Sequence, residues 1–245
     1  MGIGGGGDVV GALAAAGVAA AGGTPSVLGG LTWERRPIDP LPGPRRLAEL
    51  RDAEPLNAAV ALARPGTTGP GGFRFAEARM AELLGEPTLL VDPHGGPAAV
   101  ADGLGDAAER LGADVVVLLD VGGDVLAHGD EPGLASPLAD AVVLAAAPAL
   151  AARGVTVLGG VFGAGCDGEL TPEEVVERLA EVAAAGGTLG EHTLDAPTLE
   201  RLDAAVAAVP TEASLMALRC ARGERGEQPI RDGRRRVRLS EAGGR

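Results

Sequence analysis

The chain contains no lysine and no tyrosine, and its 245 residues include three phenylalanines, one tryptophan and two cysteines. The absence of lysine excludes Schiff-base chemistry and a Walker-type phosphate loop. The absence of tyrosine excludes a phenolic general acid. All 21 basic residues are therefore arginine, a bias we read as genome composition and not as a functional signal. Cys166 and Cys220 alone make neither a disulfide framework nor a CxxC metal site. A reduced, cytoplasmic setting is expected. Positive charge is also scarce: the net charge of −13 argues against nucleic acid and anionic lipid as partners. No run reads as an export signal or a membrane span. The Ala-rich opening has no preceding positive charge and ends at Thr24-Pro25, and the apolar region 141–165 is broken by Pro148 and Arg153.

What is present is an alternation of short Val/Leu runs with Ala-rich helical stretches. Asp8 is a good N-cap for a helix over 8–21 that stops at Gly22-Gly23. A short strand is expected at 26–30, a short helix at 45–52, a strand at 57–63 and a loop at 64–72. Residues 73–85 have helical spacing, with Phe75, Met80, Leu83 and Leu84 on one face. Strands at 87–92, 113–120 and 154–162 alternate with helices at 97–111 and 137–153. Thr171, Pro172 and Glu174 form a capping box at the next helix. Two further helices are expected at 197–208 and 211–222. Asp232-Gly233 then reads as a two-residue hairpin turn whose second arm alternates Arg234, Arg236 and Arg238 with Arg235, Val237 and Leu239.

Strands separated by helices imply an α/β fold: a three-layer, Rossmann-like, mostly parallel sheet with helices on both faces and a small C-terminal hairpin. We read one domain over 1–245, with 194–245 as an appendage. Met1-Gly2-Ile3 leaves little room for a strand before the glycine run. Either the first strand is a stub or the true start lies upstream.

In a parallel sheet the carboxyl ends of the strands share one edge, where ligands bind. Five expected strand ends each carry glycine and an acid: Gly4-Gly5-Gly6-Gly7-Asp8, Gly29 to Arg35, Asp92 to Gly96, Asp120 to Asp124, and Gly163 to Glu169. Glycine admits close backbone approach to an anion, and carboxylates bind hydroxyls, amines or a divalent cation. Any one such loop has a plainer explanation, since Gly and Asp also make turns. The match of residues 2–7 to G-x-G-x-x-G is weak within a run of glycines. An aspartate at position 8 would repel a pyrophosphate unless a cation meets it, so Asp8 is read as a metal or hydroxyl ligand or else as a helix cap. Asp120 and Asp124 flank Gly122-Gly123 in a way that suits Mg²⁺ or a ribose. Trp33 could stack on a base or sugar, with Glu34 and Arg35 orienting a substrate. His94 and His128 are candidate proton carriers beside Asp120, each with a solvated loop histidine as the alternative. Asp167 completes the metal candidates. Cys166 has no histidine tied to it by sequence.

The segments GIGGGGDVVGAL, LGGLTWERRPIDPLPGPRRL, DVGGDVLAHGDEPGLASPLADA, GCDGELTPEEV and VPTEASLMALRCARGE with IRDGRRRVRLS together resemble the prokaryotic domain-of-unknown-function family numbered 1152. The resemblance spans nearly the whole chain and implies that the acidic loops form one site. It brings no catalytic residues with it. From the residues themselves, the leading expectation is a small-molecule enzyme acting on a phosphorylated or nucleoside-like substrate with Mg²⁺, by hydrolysis or group transfer. An NAD(P)-dependent oxidoreductase and a non-catalytic metabolite sensor are the alternatives. The Ala/Val helices could cover the sheet of a monomer or form a homodimer face.

Overall fold

A computed structural model describes all 245 residues. The structure has seven helices and eight strands; the short helix expected at 45–52 is a single turn at Leu47–Glu49, and Arg51–Pro55 is a strand instead. Helices α1 (Asp8–Ala21), α2 (Ala76–Leu84), α3 (Gly96–Leu111) and α4 (Leu138–Ala152) interleave with strands β1 (Gly29–Leu31), β2 (Arg51–Pro55), β3 (Val60–Thr68), β4 (Thr88–Val91) and β5 (Val115–Val121). Strand β6 (Thr156–Phe162) is followed by α5 (Pro172–Ala184), α6 (Ala196–Ala208), α7 (Glu212–Ala221) and the hairpin β7 (Gly226–Ile230) and β8 (Arg235–Leu239). The fold is mixed α/β.

The strands form a four-stranded group ordered β1-β4-β3-β2 and a parallel pair β5-β6. The first three residues lie between the two groups. Gly2 N–H donates to Gly29 O (2.8 Å), Ile3 N–H to Leu119 O (3.0 Å), and Leu119 N–H to Met1 O (2.8 Å). The stub strand therefore exists, and it joins β1 to β5. The sheet is less parallel than the sequence implies: β1 with β4 and β5 with β6 are parallel, but β3 runs antiparallel to both β4 and β2. Strand β2 and the second half of β3 were not expected. Residues 64–72, read as loop from Pro, Gly and Thr, begin as strand because β2 supplies an antiparallel partner: Arg51 pairs with Thr68 across a bulge. That hairpin stands largely in solvent, so no apolar alternation marks it.

Two apolar clusters flank β5. Leu119 and Val121 join the larger one with α1, α6 and α7, whereas Leu118 joins the other with α3 and α4. This division follows from the two-residue period of a strand. Residues 194–245 do not sit apart as an appendage, because Leu202, Ala217, Ile230 and Leu239 belong to the larger cluster. Leu83 is exposed, against the expected helix face, since only Ala76, Met80 and their neighbours in α2 turn inward. The hairpin loop has four residues, because Ile230 pairs with Arg235. Arg231, Asp232 and Gly233 all take positive φ there. The capping box at Thr171 forms as expected, with Thr171 Oγ1 accepting from Glu174 N–H (3.2 Å).

Helix α1 lies unusually close to the sheet. A Cβ at Gly11 would overlap the Val121 side chain, and one at Gly17 would overlap Thr198 of α6. Gly11→Ala should therefore lower stability by about 1–3 kcal/mol through overpacking, although alanine gains up to ~1 kcal/mol in an open helix. The urea midpoint checks this, and an unchanged or higher midpoint would contradict the close packing.

Candidate functional site

Four of the five expected strand-end loops converge on one open cavity of about 440 Å³. The stub contributes Gly4, Gly5, Gly6 and Asp8. The loop after β1 contributes Trp33, Glu34 and Arg35, that after β5 Asp120 and Asp124, and that after β6 Asp167 and Glu169. The opposite wall comes from the first turns of α4 and α7 and from Arg231 of the hairpin loop. Eight carboxylates but three guanidiniums line the space. This imbalance must be met by protons, by a cation or by both.

The acids form two trios. Asp8, Asp120 and Asp140 place carboxylate oxygens within 4.8 Å of one another, as do Asp124, Asp167 and Glu169. In the first trio Asp8 is not the N-cap of α1, because Gly7 holds that position. The Asp8 carboxylate instead accepts from Gly4 N–H (2.9 Å). Asp120 Oδ2 accepts from Gly123 N–H (2.7 Å) and Val125 N–H (3.3 Å). Asp140, in the first turn of α4, is 1% exposed, and its Oδ1 has no hydrogen-bond partner. A carboxylate oxygen buried without a donor is costly. This one lies beside Gly4, where a Cβ would come within 3.1 Å of it.

Crowding shows in the proton affinities. Burial, then Asp124 and Asp8, pushes the Asp140 carboxyl up to about 9. Burial raises Asp8 and Asp120 as well, with their acidic neighbours adding to it. In the second trio burial and then Asp124 bring Asp167 to about 8, and burial and then Glu169 bring Asp124 to about 6. Glu169 differs. Burial pushes it up, but Ser136 Oγ and the N–H groups of Ala135 and Ser136 outweigh that and hold it below the usual range. Arg231 also pairs with Glu169 at 3.3 Å. The second trio is thus partly met by protein donors, whereas the first is not.

The glycine run serves the walls more than an anion. Gly6 N–H donates to Trp33 O (2.8 Å), and Gly4 N–H is taken by Asp8. Gly6, at φ 58°, lets the loop pass so close to Arg35 that a Cβ would meet its Cγ at 2.6 Å. Gly7 approaches Thr211 in the same way. Of the residues expected to bind a cofactor, Gly122 and Gly123 lie behind the acids and hold Asp167 and Asp120 in place. Glu34 lines the cavity, but its Oε1 accepts from Ala76 N–H (2.6 Å) at the start of α2. Burial brings this carboxyl to about 7 despite that bond and Arg35. Arg35 pairs with Glu212 at 3.3 Å.

Neither histidine reaches the cavity. His94 Nδ1 lies 2.7 Å from Asp92 Oδ1, in a short turn where Asp92 also accepts from Leu47 N–H. His128 Nε2 lies 3.0 Å from Glu181 Oε2 on the surface. Neither is therefore placed to carry a proton for a ligand held in this cavity. Asp140, Glu212 and Arg231 lie outside the loops that the sequence singles out, whereas Glu169 lies within one of them without being read as a ligand. A signal for Asp140 was available: it is the only charged residue in the fifteen of α4.

The resemblance implies that the acidic loops form one site, and four of the five do; the loop Asp92 to Gly96 lies outside it. The family model described as "Protein of unknown function (DUF1152)" matches residues 1–244. The chain belongs to the DUF1152 family. No curated protein and no solved structure matches it. Membership in DUF1152 covers both halves of the cavity, from Gly4 to Arg231. No helix is long and apolar enough to cross a membrane.

Proposed function

We propose that the protein is an enzyme of small-molecule metabolism that binds a phosphorylated or nucleoside-like substrate in the acidic cavity together with a divalent cation, Mg²⁺ being the natural choice. The observation that carries this reading is the first trio, with the partnerless buried Oδ1 of Asp140 facing Asp8 and Asp120. Hard divalent cations take carboxylate oxygens, and such a cation would supply Lewis-acid activation and charge neutralisation for an anionic group. Without it, eight carboxylates would repel a phosphate. This disfavours a dinucleotide bound with no metal.

The Rossmann-like arrangement belongs to the same reading. Through the stub the strand order runs β3-β4-β1-stub-β5-β6, and the cavity opens beside the stub, with β1 reached from it through α1 on one side and β5 reached from β4 through α3 on the other. That is the usual place for a ligand in a doubly wound sheet. Arg35, Arg36 and Arg231 are available to an anionic substituent, and Trp33 to a base or sugar face. With neither histidine lining the cavity, the proton-moving role falls to a cavity acid outside the first trio, and Asp124 is the choice.

Thermal-shift measurements with nucleotides and sugar phosphates, each with Mg²⁺ or EDTA, test the proposal. Stabilisation is expected only where ligand and cation are both present, and Asp120→Asn should remove it. Equal stabilisation in EDTA, or by NAD(P) alone, would replace this reading with the oxidoreductase. Ligand stabilisation without turnover would leave a sensor.

A further inference from the structure

We propose that Cys166 and Cys220 are a redox pair that a small peroxide closes into an intramolecular disulfide and a thiol reductant reopens. Their sulfurs lie 3.8 Å apart although the residues are 54 positions apart in sequence. Cys166 stands in the loop after β6, next to Asp167. Cys220 stands in the last turn of α7, the helix whose first turn carries Glu212 on the opposite wall of the cavity. Both side chains are buried.

The turn Ala242–Gly244 covers them. A Cβ at Gly243 would lie 2.8 Å from the sulfur of Cys220 and 3.2 Å from that of Cys166. This cover is held by Gly243 N–H on Ser240 Oγ (3.0 Å) and by surface pairs of Arg245 with Glu191 and Glu241. Exposed ion pairs add little to stability. Gly243 and Gly244 are themselves buried, so a peroxide reaches the sulfurs when this short turn opens locally.

The pair is also asymmetric. The hydrogen bond shared with Cys166, opposed by burial and aided by Arg225 and Arg219, brings the Cys220 thiol down to about 7. Arg225, whose Nη1 donates to the Cys220 carbonyl (3.1 Å), stands beside Cys220, whereas Cys166 is flanked by Asp167, so Cys220 is the nucleophile. Its thiolate attacks the peroxide O–O bond, becoming a sulfenic acid, and the departing hydroxide takes up a proton to form water. The Cys166 sulfur then attacks that of Cys220 and releases its proton, and the sulfenic oxygen leaves as a second water. Two thiols are oxidised and one peroxide is reduced. The sulfurs must close by about 1.8 Å from 3.8 Å to reach disulfide length. The bond ties the loop of Asp167 to α7, and so fixes two walls of the cavity to each other.

The test uses the reduced full-length protein in native buffer, treated with hydrogen peroxide, alkylated, and mapped by mass spectrometry without reduction. The expected result is one cross-linked peptide joining Cys166 to Cys220, about 2 Da lighter than the two free peptides and released by dithiothreitol. In Cys166→Ser, Cys220 should instead be trapped as a sulfenic acid by dimedone. Two outcomes overturn the proposal. In one, both thiols stay alkylatable under conditions that cross-link the urea-unfolded chain. In the other, Cys220 advances to the sulfinic acid while Cys166 remains free. If Cys166→Ser does not fold, the wild-type map decides alone.

Discussion

Raising the pH from 5 to 9 in the presence of EDTA is expected to lower the thermal midpoint by about 10 °C or more. The cause is the crowd of buried acids. Asp124, Asp167 and Asp140 hold protons up to about 6, 8 and 9 in the folded state, whereas in the unfolded chain an aspartate releases its proton near about 3.9. Folded pKa values above the unfolded ones mean that the folded state binds the extra protons. The stability this contributes is complete below about pH 4 and is lost as the pH climbs through the three folded values. A shift of one unit corresponds to about 1.4 kcal/mol. The three groups repel one another, so their contributions do not simply add. A loss of several kcal/mol still follows, and for a chain of this length each is worth about 2–4 °C. Adding Mg²⁺ or Mn²⁺ at pH 8 should recover most of the loss, because a cation replaces the missing protons. Differential scanning calorimetry across this range measures both effects. A midpoint that is flat with pH in EDTA would mean that the acids are not crowded as described.

Asp140→Asn is expected to move two quantities in opposite directions. At pH 8 without cation it should raise the midpoint by about 5 °C or more. It removes a buried carboxyl that the folded chain must keep protonated at pH 8 while the unfolded chain releases the proton, and its amide can donate to Asp8 or Asp120. The cation response should weaken at least about tenfold in apparent affinity, because one of three anionic ligands is gone. Asp130→Asn, on the exposed loop beyond β5, serves as the control and should alter neither. A purely structural role for Asp140 would give a lower midpoint and an unchanged cation response. The paired measurement separates the two roles where activity alone would not.

Much of this architecture is legible in the amino-acid order because the cues are local. Thr171, Pro172 and Glu174 specify a helix start within four residues, and the uncharged run at β5 specifies a buried strand. The converging loops are legible because a mainly parallel sheet puts its carboxyl ends together. What escapes the sequence depends on distant partners. The β2–β3 hairpin is polar and exposed, so only its pairing defines it. The turn at Asp232-Gly233 takes four residues because the register is set by Ile230 in the core and not by the turn. His94 and His128 sit at plausible strand ends, but Asp92 and Glu181 claim them. Asp140 stands out as the only charged residue of α4, but its partner does not: only the fold brings it to Asp8.

The carbonyl of Gly7 accepts the hydroxyl of Ser214, 207 residues further along. The two ends of the binding pocket's wall are thus made by segments that leave the ribosome at opposite ends of synthesis. Closure of so long a loop is slow and comes late. A nascent chain lacking α7 would carry its cluster of acids without the wall that encloses them. On the function proposed above, ligand capture would therefore need both segments, and no amino-terminal fragment should display it.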